Sequence, residues 1–229
     1  MLIKDFTGAM CVNCPGAAEI AHELQHQLGE DRVLIMGVHA GPLAQPAGQF
    51  PNFLTDEGTE WYGTHDSNPL FSVDNVGLTD GNTLYVEQID VPVNEALAES
   101  QTFDISIYNE YDESSRQLGV MVTATAVAEY TGNLYVTVCL VEDSIIGWQK
   151  VHGGIDKEYV FRNVFRGTLN GADGEAFANG PVYFEESRLF AYGIQLDSTY
   201  NADQCYVLSY IYDKHKNGKI LQTQMRKVK

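Results

Sequence analysis

A chain of 229 residues with 14 Lys plus Arg against 31 Asp plus Glu carries a formal charge of −17, and 44% of its residues are hydrophobic. That apolar share fills one large core or two small ones and excludes general disorder, while the acidic excess repels polyphosphate and anionic lipid. Nucleic acid is thereby excluded as a partner, and no apolar run is long enough to cross a bilayer as a helix.

In chain order, residues 2–6 read as a strand, 15–28 as a helix and 33–39 as a second strand. Within the helix, Ala17, Ile20, Ala21, Leu24 and Leu28 fall on one stripe at spacings of three and four. Thr55 is the expected N-cap of a weaker helix over 56–64, and Pro69 introduces a strand at 70–73. A hairpin turn at 77–82 then leads to a strand at 83–88, and a closing helix covers 92–99. Residues 1–100 thus read as an α/β domain. From Thr102 onward the apolar stretches are short, rich in Val, Ile, Tyr and Phe, and bounded by Gly, Asn or Asp. Strands near 103–108, 117–126, 134–142, 159–169, 189–196, 206–213 and 220–225 predict an antiparallel β-sandwich over residues 101–229, immunoglobulin-like or jelly-roll-like. Lys216-Asn217-Gly218-Lys219 predicts a tight type I′ hairpin. A transmembrane barrel fits poorly, because Glu129, Glu142, Arg162 and Arg166 interrupt its outer apolar band. No basic segment, apolar core or cleavage site precedes the first strand, so a leader is expected to be missing or already removed.

The first candidate for chemistry is Cys11-Val12-Asn13-Cys14, placed between a strand and a helix N-terminus. Free N–H groups and partial positive charge there favour a thiolate, with Cys11 as the attacking sulfur and Cys14 as the resolving one. Lys4 is the nearest basic residue in sequence, whereas Asp5 and Glu19 oppose ionisation of the thiol. The same spacing also suits a short-loop structural disulfide.

The approach Lys4-Asp5-Phe6-Thr7-Gly8-Ala9-Met10-Cys11 resembles that of thioredoxins to their dithiol. The resemblance implies a thioredoxin-like N-terminal domain in which Asp5 is the buried carboxylate that moves a proton at the resolving thiol. It also implies that Pro69, in Ser67-Asn68-Pro69-Leu70, is a cis-proline facing the sulfurs and receiving substrate backbone. Departures are Met10 where Trp is usual, Val12-Asn13 between the sulfurs, and Pro15 directly after the second.

A longer set of motifs is similar to the twenty-eight-kilodalton outer-membrane protein family of Bacteroidetes. They are Asp5-Phe6-Thr7-Gly8 with Cys11-Val12-Asn13-Cys14-Pro15, Val38-His39-Ala40-Gly41-Pro42, the run from Val141 through Trp148-Gln149, and the segment from Tyr159 to Gly167. This resemblance implies an exported protein of the periplasm, outer membrane or cell surface, often a lipoprotein, with a thioredoxin-like domain joined to a β-sandwich. It brings no settled activity. Phe161 and Asn163 stand where members often carry His, so no metal or proton role is carried over there.

His22-Glu23-Leu24-Gln25-His26 is a literal H-E-x-x-H, in which His22 and His26 could grip zinc while Glu23 activates water. A zincin needs a third ligand, and the position six residues beyond His26 is the cation Arg32, so a solvated helix face is the reading preferred. Cys139 and Cys205 either bridge two layers or fill the core as unpaired thiols. Alternating Tyr206, Tyr210 and Tyr212, and likewise Trp148, offer either a binding face or ordinary packing. Asp173 and Glu175 could bind calcium, although their loop lacks the ligand number of an EF-hand.

Two functions follow. One is an envelope thiol–disulfide oxidoreductase using Cys11, Cys14, Asp5 and Pro69, with protein thiols or disulfides as partners. The other is a surface or envelope binding lipoprotein with a structural disulfide, which contacts envelope proteins or glycans. Neither needs a cofactor, and membrane association is expected only through a lipid anchor outside these residues.

Overall fold

The computed structural model describes residues 1–75 and 84–229. β1 (Leu2–Thr7) and β2 (Leu34–His39) lie parallel, with Leu2 opposite Leu34 and Thr7 opposite His39. Parallel neighbours need a crossover, which α1 (Cys14–Leu28) supplies. Pro15 sits in its first turn, where its missing N–H costs nothing, and Gly29 at φ 105° ends it. β3 (Leu70–Val73) runs antiparallel along the other edge of β1. α2 (Asp56–Tyr62) starts at Thr55, whose hydroxyl accepts from the Gly58 N–H at 3.0 Å, and α3 (Asp90–Ala98) completes the first half. Ala17 and Ala21 of α1 pack with Ile3, Ile35, Phe71 and Val93 on one face of these strands.

The second half contributes β4 (Phe103–Asp112), β5 (Gln117–Ala126), β6 (Tyr130–Glu142), β7 (Ile145–Val151), β8 (Gly154–Phe161), β9 (Val164–Thr168), β10 (Glu175–Val182), β11 (Ser187–Gln195), β12 (Cys205–Asp213) and β13 (Lys219–Lys227). β11, β5 and β4 form one sheet, whose Phe103, Val122 and Phe190 pack against Val136, Val207 and Ile211 of β6 and β12. That is the sandwich. The larger sheet runs β13-β12-β6-β9-β2-β1-β3, with β10 also on β6, so one sheet spans both halves of the chain. The joint is β2 against β9, where the Gly37 N–H donates to Asn163 O at 2.8 Å. A Cβ at residue 37 would lie 3.3 Å from Arg162 O, so glycine lets the two backbones approach.

This large sheet curls until its edges meet. Just past β3, Asp74 O accepts from the Ile220 N–H of β13 at 3.0 Å, and Asn75 Nδ2 donates to Gly218 O at 2.7 Å. Leu2, Phe6, Met36, Val141, Leu208 and Tyr210 fill the inside of the curl.

β7 and β8 form a separate two-stranded arm. Asp143 clamps its root: its Oδ1 accepts from Arg162 Nε at 2.7 Å and from the Asn163 N–H at 3.0 Å, while Ser144 donates to Oδ2. Burial alone would raise the Asp143 carboxyl, but the Arg162 guanidinium, the Ser144 hydroxyl and the Asn163 N–H outweigh it and hold the group low.

Several expectations are corrected. Ten strands follow residue 100 among the described residues, where seven were expected: the arm strand β7 and β10 were unforeseen, and the strand expected over 159–169 breaks at Asn163, which takes φ 47°. The last hairpin is longer than a two-residue turn. A 3-10 turn over Lys214–Lys216 precedes Asn217 and Gly218, which do adopt the positive φ expected of them. The turn expected at 77–82 lies outside the described residues. Of the strand expected over 83–88, Leu84 bridges Phe71 and Val86–Gln88 is a 3-10 turn. Ile20 is 47% exposed and does not join the buried stripe. Cys139 and Cys205 are unpaired and buried on opposite faces of one sheet, Cys139 inside the curl and Cys205 in the sandwich core, so they cannot bridge. Asp173 pairs with Lys214 at 3.2 Å and Glu175 with Arg188 at 3.3 Å, so neither carboxylate stands ready for calcium.

Candidate dithiol site

β1 delivers the chain to a turn that returns as α1, and the two sulfurs stand at that return. Cys11 and Cys14 are joined by a disulfide with Cα atoms 5.4 Å apart, and the Cys14 N–H lies 3.1 Å from Cys11 Sγ. Gly8 allows the turn to lie flat on its neighbour: a Cβ there would come within 2.4 Å of Leu43 C and O, and the Met10 N–H donates to that same Leu43 O. The Asn68–Pro69 bond is cis. Asn68 Nδ2 donates to Phe6 O and Ala40 O, which ties the proline loop to the ends of β1 and β2. Pro69 lines a groove of about 460 Å³ together with Val12, Asn13, Gly16 and Ile20, so the exposed Ile20 is a groove wall.

Asp5 is buried behind the disulfide and shares a cavity of about 330 Å³ with Cys14, His22, His39 and Tyr159. Asp5 Oδ1 has no hydrogen-bond partner, and burial pushes the carboxyl up to about 7. His39 is buried with both ring nitrogens unpartnered and its ring edge-on to Phe53 at 4.8 Å. Burial first, and Arg166 second, lower it to about 3, so it is neutral at pH 7. Burial, reinforced by the Asp5 charge, raises the Tyr159 phenol to about 12. Lys4, next to Asp5 in sequence, projects to the other face of the sheet by the alternation of strand side chains and gives no positive charge to the sulfurs.

The sulfurs are not at the surface. Cys11 is 1% exposed and Cys14 2%, although the attacking role expected of Cys11 requires an accessible sulfur. The cover is the β7–β8 arm. Buried Gln149 donates from Nε2 to Cys11 O at 2.8 Å, and the Lys150 N–H donates to Ala9 O at 2.9 Å. Beneath the arm, Ala9, Phe53, Phe161 and Val164 form a small apolar cluster. Sequence reasoning missed Gln149, His39 and Tyr159 as parts of this site, although each lies in one of the motifs quoted above. His22 Nδ1 faces Gln25 Oε1 at 3.1 Å, while His26 is exposed beside Glu30, and among the described residues no three potential ligands gather round a metal position.

Comparison with known proteins bears on the arm more than on the sulfurs. The family model for the outer membrane protein Omp28 matches residues 76–229, about two thirds of the chain. The chain belongs to the Omp28 family of outer-membrane proteins. The Omp28 match includes the β7–β8 arm and begins after Cys11, Cys14, Asp5 and Pro69, so membership itself says nothing of the dithiol. Among solved structures, HBP35 of Porphyromonas gingivalis is similar over 99% of this chain and 74% of its own, with a TM-score of 0.75 at 14% identity. That likeness supports the fold, an α/β first half and a β-sandwich. A domain of the outer membrane lipoprotein Omp28 from the same organism covers 57% of this chain and 90% of its own, with a TM-score of 0.38 at 20% identity. No curated protein is matched by sequence. Among the described residues no helix is long and apolar enough to cross a membrane.

Proposed function

We propose that this Omp28-family chain is a non-enzymatic envelope protein, lipid-anchored outside these residues, in which Cys11–Cys14 is a structural disulfide and recognition of other envelope components is by surface. One observation carries this reading: Gln149 and Lys150 hold an arm of the second half over both sulfurs, leaving 1% and 2% of the cysteines exposed. Thiol–disulfide exchange requires in-line approach of a thiolate to a sulfur atom, and a covered pair denies that approach.

A second reading rests on a different observation, the unpartnered Asp5 in a cavity with Cys14. Were the arm to lift and an external dithiol reduce the pair, the Cys11 thiolate would attack a partner disulfide and expel one partner thiolate. Cys14, giving its proton to Asp5, would then attack Cys11 Sγ, restoring the internal disulfide and releasing the second partner thiolate. Turnover of a protein disulfide such as insulin, with dithiothreitol as reductant, separates the two. Equal rates for wild type and Cys11→Ser are expected, and a wild-type rate clearly above that of the variant overturns the structural reading in favour of the second.

A further inference from the structure

On the face of β1 opposite the sulfurs, the curled sheet opens into a cavity of about 800 Å³, within the size range of small-molecule sites. Its walls include Trp61 and Tyr62 of α2 and Tyr210 and Tyr212 of β12. Hydrogen bonds fix three of these rings: Trp61 Nε1 donates to Ala172 O at 3.1 Å, Tyr62 Oη to Ser67 O at 2.7 Å and Tyr212 Oη to Asp173 O at 2.7 Å. Lys4 also lines the cavity and is 2% exposed. Its Nζ donates to Tyr210 Oη at 3.3 Å and lies 4.0 Å from the centre of the Trp61 ring, with no carboxylate in ion-pair range among the described residues.

A buried ammonium without a counter-charge is costly, and as mere filling between Trp61 and Tyr210 a methionine would serve at no such cost. The rings of Trp61 and Tyr210 offset part of the penalty through their π faces, but they leave ammonium protons without oxygen acceptors. Burial lowers the Lys4 ammonium only to about 8, so the charge persists at neutral pH. The lining holds two carboxylates, Asp173, which is paired with Lys214 at 3.2 Å, and Glu60 on α2, against the two cations Lys4 and Lys214. A fixed cation at the base of an aromatic-walled cavity, in a chain of charge −17, suits an anion that brings its own flat or chair-shaped apolar face.

We propose that this cavity binds a small molecule bearing a carboxylate on or one carbon from a six-membered ring, the carboxylate meeting Lys4 and the ring lying against Trp61 and Tyr212. The site is independent of the dithiol, from which β1 separates it.

Four probes dissect the proposal. Glucuronate and 4-hydroxyphenylacetate carry ring and carboxylate, glucose carries the ring alone and acetate the carboxylate alone. Trp61 and Trp148 are the two tryptophans of the chain, so Trp148→Phe leaves Trp61 fluorescence as the reporter. Saturable change with glucuronate or with 4-hydroxyphenylacetate is expected, each at least tenfold tighter than glucose and acetate, and the stronger of the two assigns the ligand to sugar acids or to aromatic acids. Lys4→Met should melt at a higher temperature than wild type, having lost an unpaired buried charge, and bind at least tenfold more weakly. Absence of saturable binding by both acids at millimolar concentration overturns the proposal, as does glucose binding equal to glucuronate with no advantage for the aromatic acid, or undiminished binding by Lys4→Met. Should that variant not fold, the four-probe comparison on the wild-type chain, read as ligand-induced shifts in melting temperature, decides in the same way.

Discussion

Asp5→Asn will gain stability over wild type as pH rises, the gap opening by about 3 kcal/mol between pH 4 and pH 7. Below its ordinary value of 3.8 the Asp5 carboxyl is protonated whether the chain is folded or not. Above it, the unfolded chain gives up the proton, while the folded chain, with the group raised by burial to about 7, keeps it. Protons are then bound more by the folded state, so wild-type stability falls as pH rises through this window and the asparagine variant escapes that fall. His39 works in the opposite sense. Its ordinary value is 6.5 and its folded value about 3, so below pH 6.5 the unfolded chain takes up a proton that the folded chain refuses. His39→Phe will therefore gain on wild type as pH falls, by about 4 kcal/mol between pH 6.5 and pH 3. Asp74, raised by burial to about 6, contributes a slope like that of Asp5 to all three proteins and cancels in each comparison. Urea unfolding at several pH values between 3.5 and 7 measures both gaps, and profiles for the two variants parallel to wild type would refute the assignment of these charges to the cavity behind Cys14.

The second large effect is expected at Arg166, whose Nε and Nη2 donate to Glu142 Oε2 at 2.8 and 2.7 Å in a buried pair joining β9 to β6. Glu142 Oε1 accepts from the Asn201 N–H, and the guanidinium lies over the rings of Phe53 and Tyr200. Arg166→Leu strands a buried carboxylate and should cost about 3–5 kcal/mol, whereas the double change with Glu142→Leu should recover most of that loss. β9 is also the strand that meets β2, so the junction between the two halves weakens with it. Denaturant unfolding of the single and double variants reads the cycle. A single variant within about 1 kcal/mol of wild type would show that the pair contributes little to holding the strands together.

The elements legible in the sequence were those with one dry face. Ala17 and Ala21 mark α1, Thr55 caps α2 and alternation marks β5, whose buried and exposed residues take turns along the strand. The β7–β8 arm has no such pattern: Ile146 and Ile155 are exposed, and its buried Gln149 is polar, so neither period nor hydropathy announces it. β10 was hidden by Gly180 and Pro181, residues tolerated there because β10 pairs only with β6. At the candidate site, Cys11, Cys14, Asp5 and Pro69 come together around the start of α1 from the motifs that pointed to them. What the sequence could not show is the cover, because the Gln149 to Cys11 contact joins residues 138 apart, and no local rule reports a contact of that separation. His39 escaped for a related reason: its significance lies in having no partner for either ring nitrogen, a property of the folded surroundings and not of the residue.

The most direct test of the covered dithiol is the rate at which dithiothreitol reduces Cys11–Cys14, followed by the mass gained on alkylation over that of an unreduced control, in which only the free thiols Cys139 and Cys205 can react. The arm must open before a thiolate can reach either sulfur, so the native protein should react at least ~100-fold more slowly than the same chain unfolded in guanidinium, and Gln149→Ala should regain roughly tenfold of that difference. Native and unfolded chains reduced at the same rate, with Gln149→Ala indistinguishable from wild type, would contradict the account.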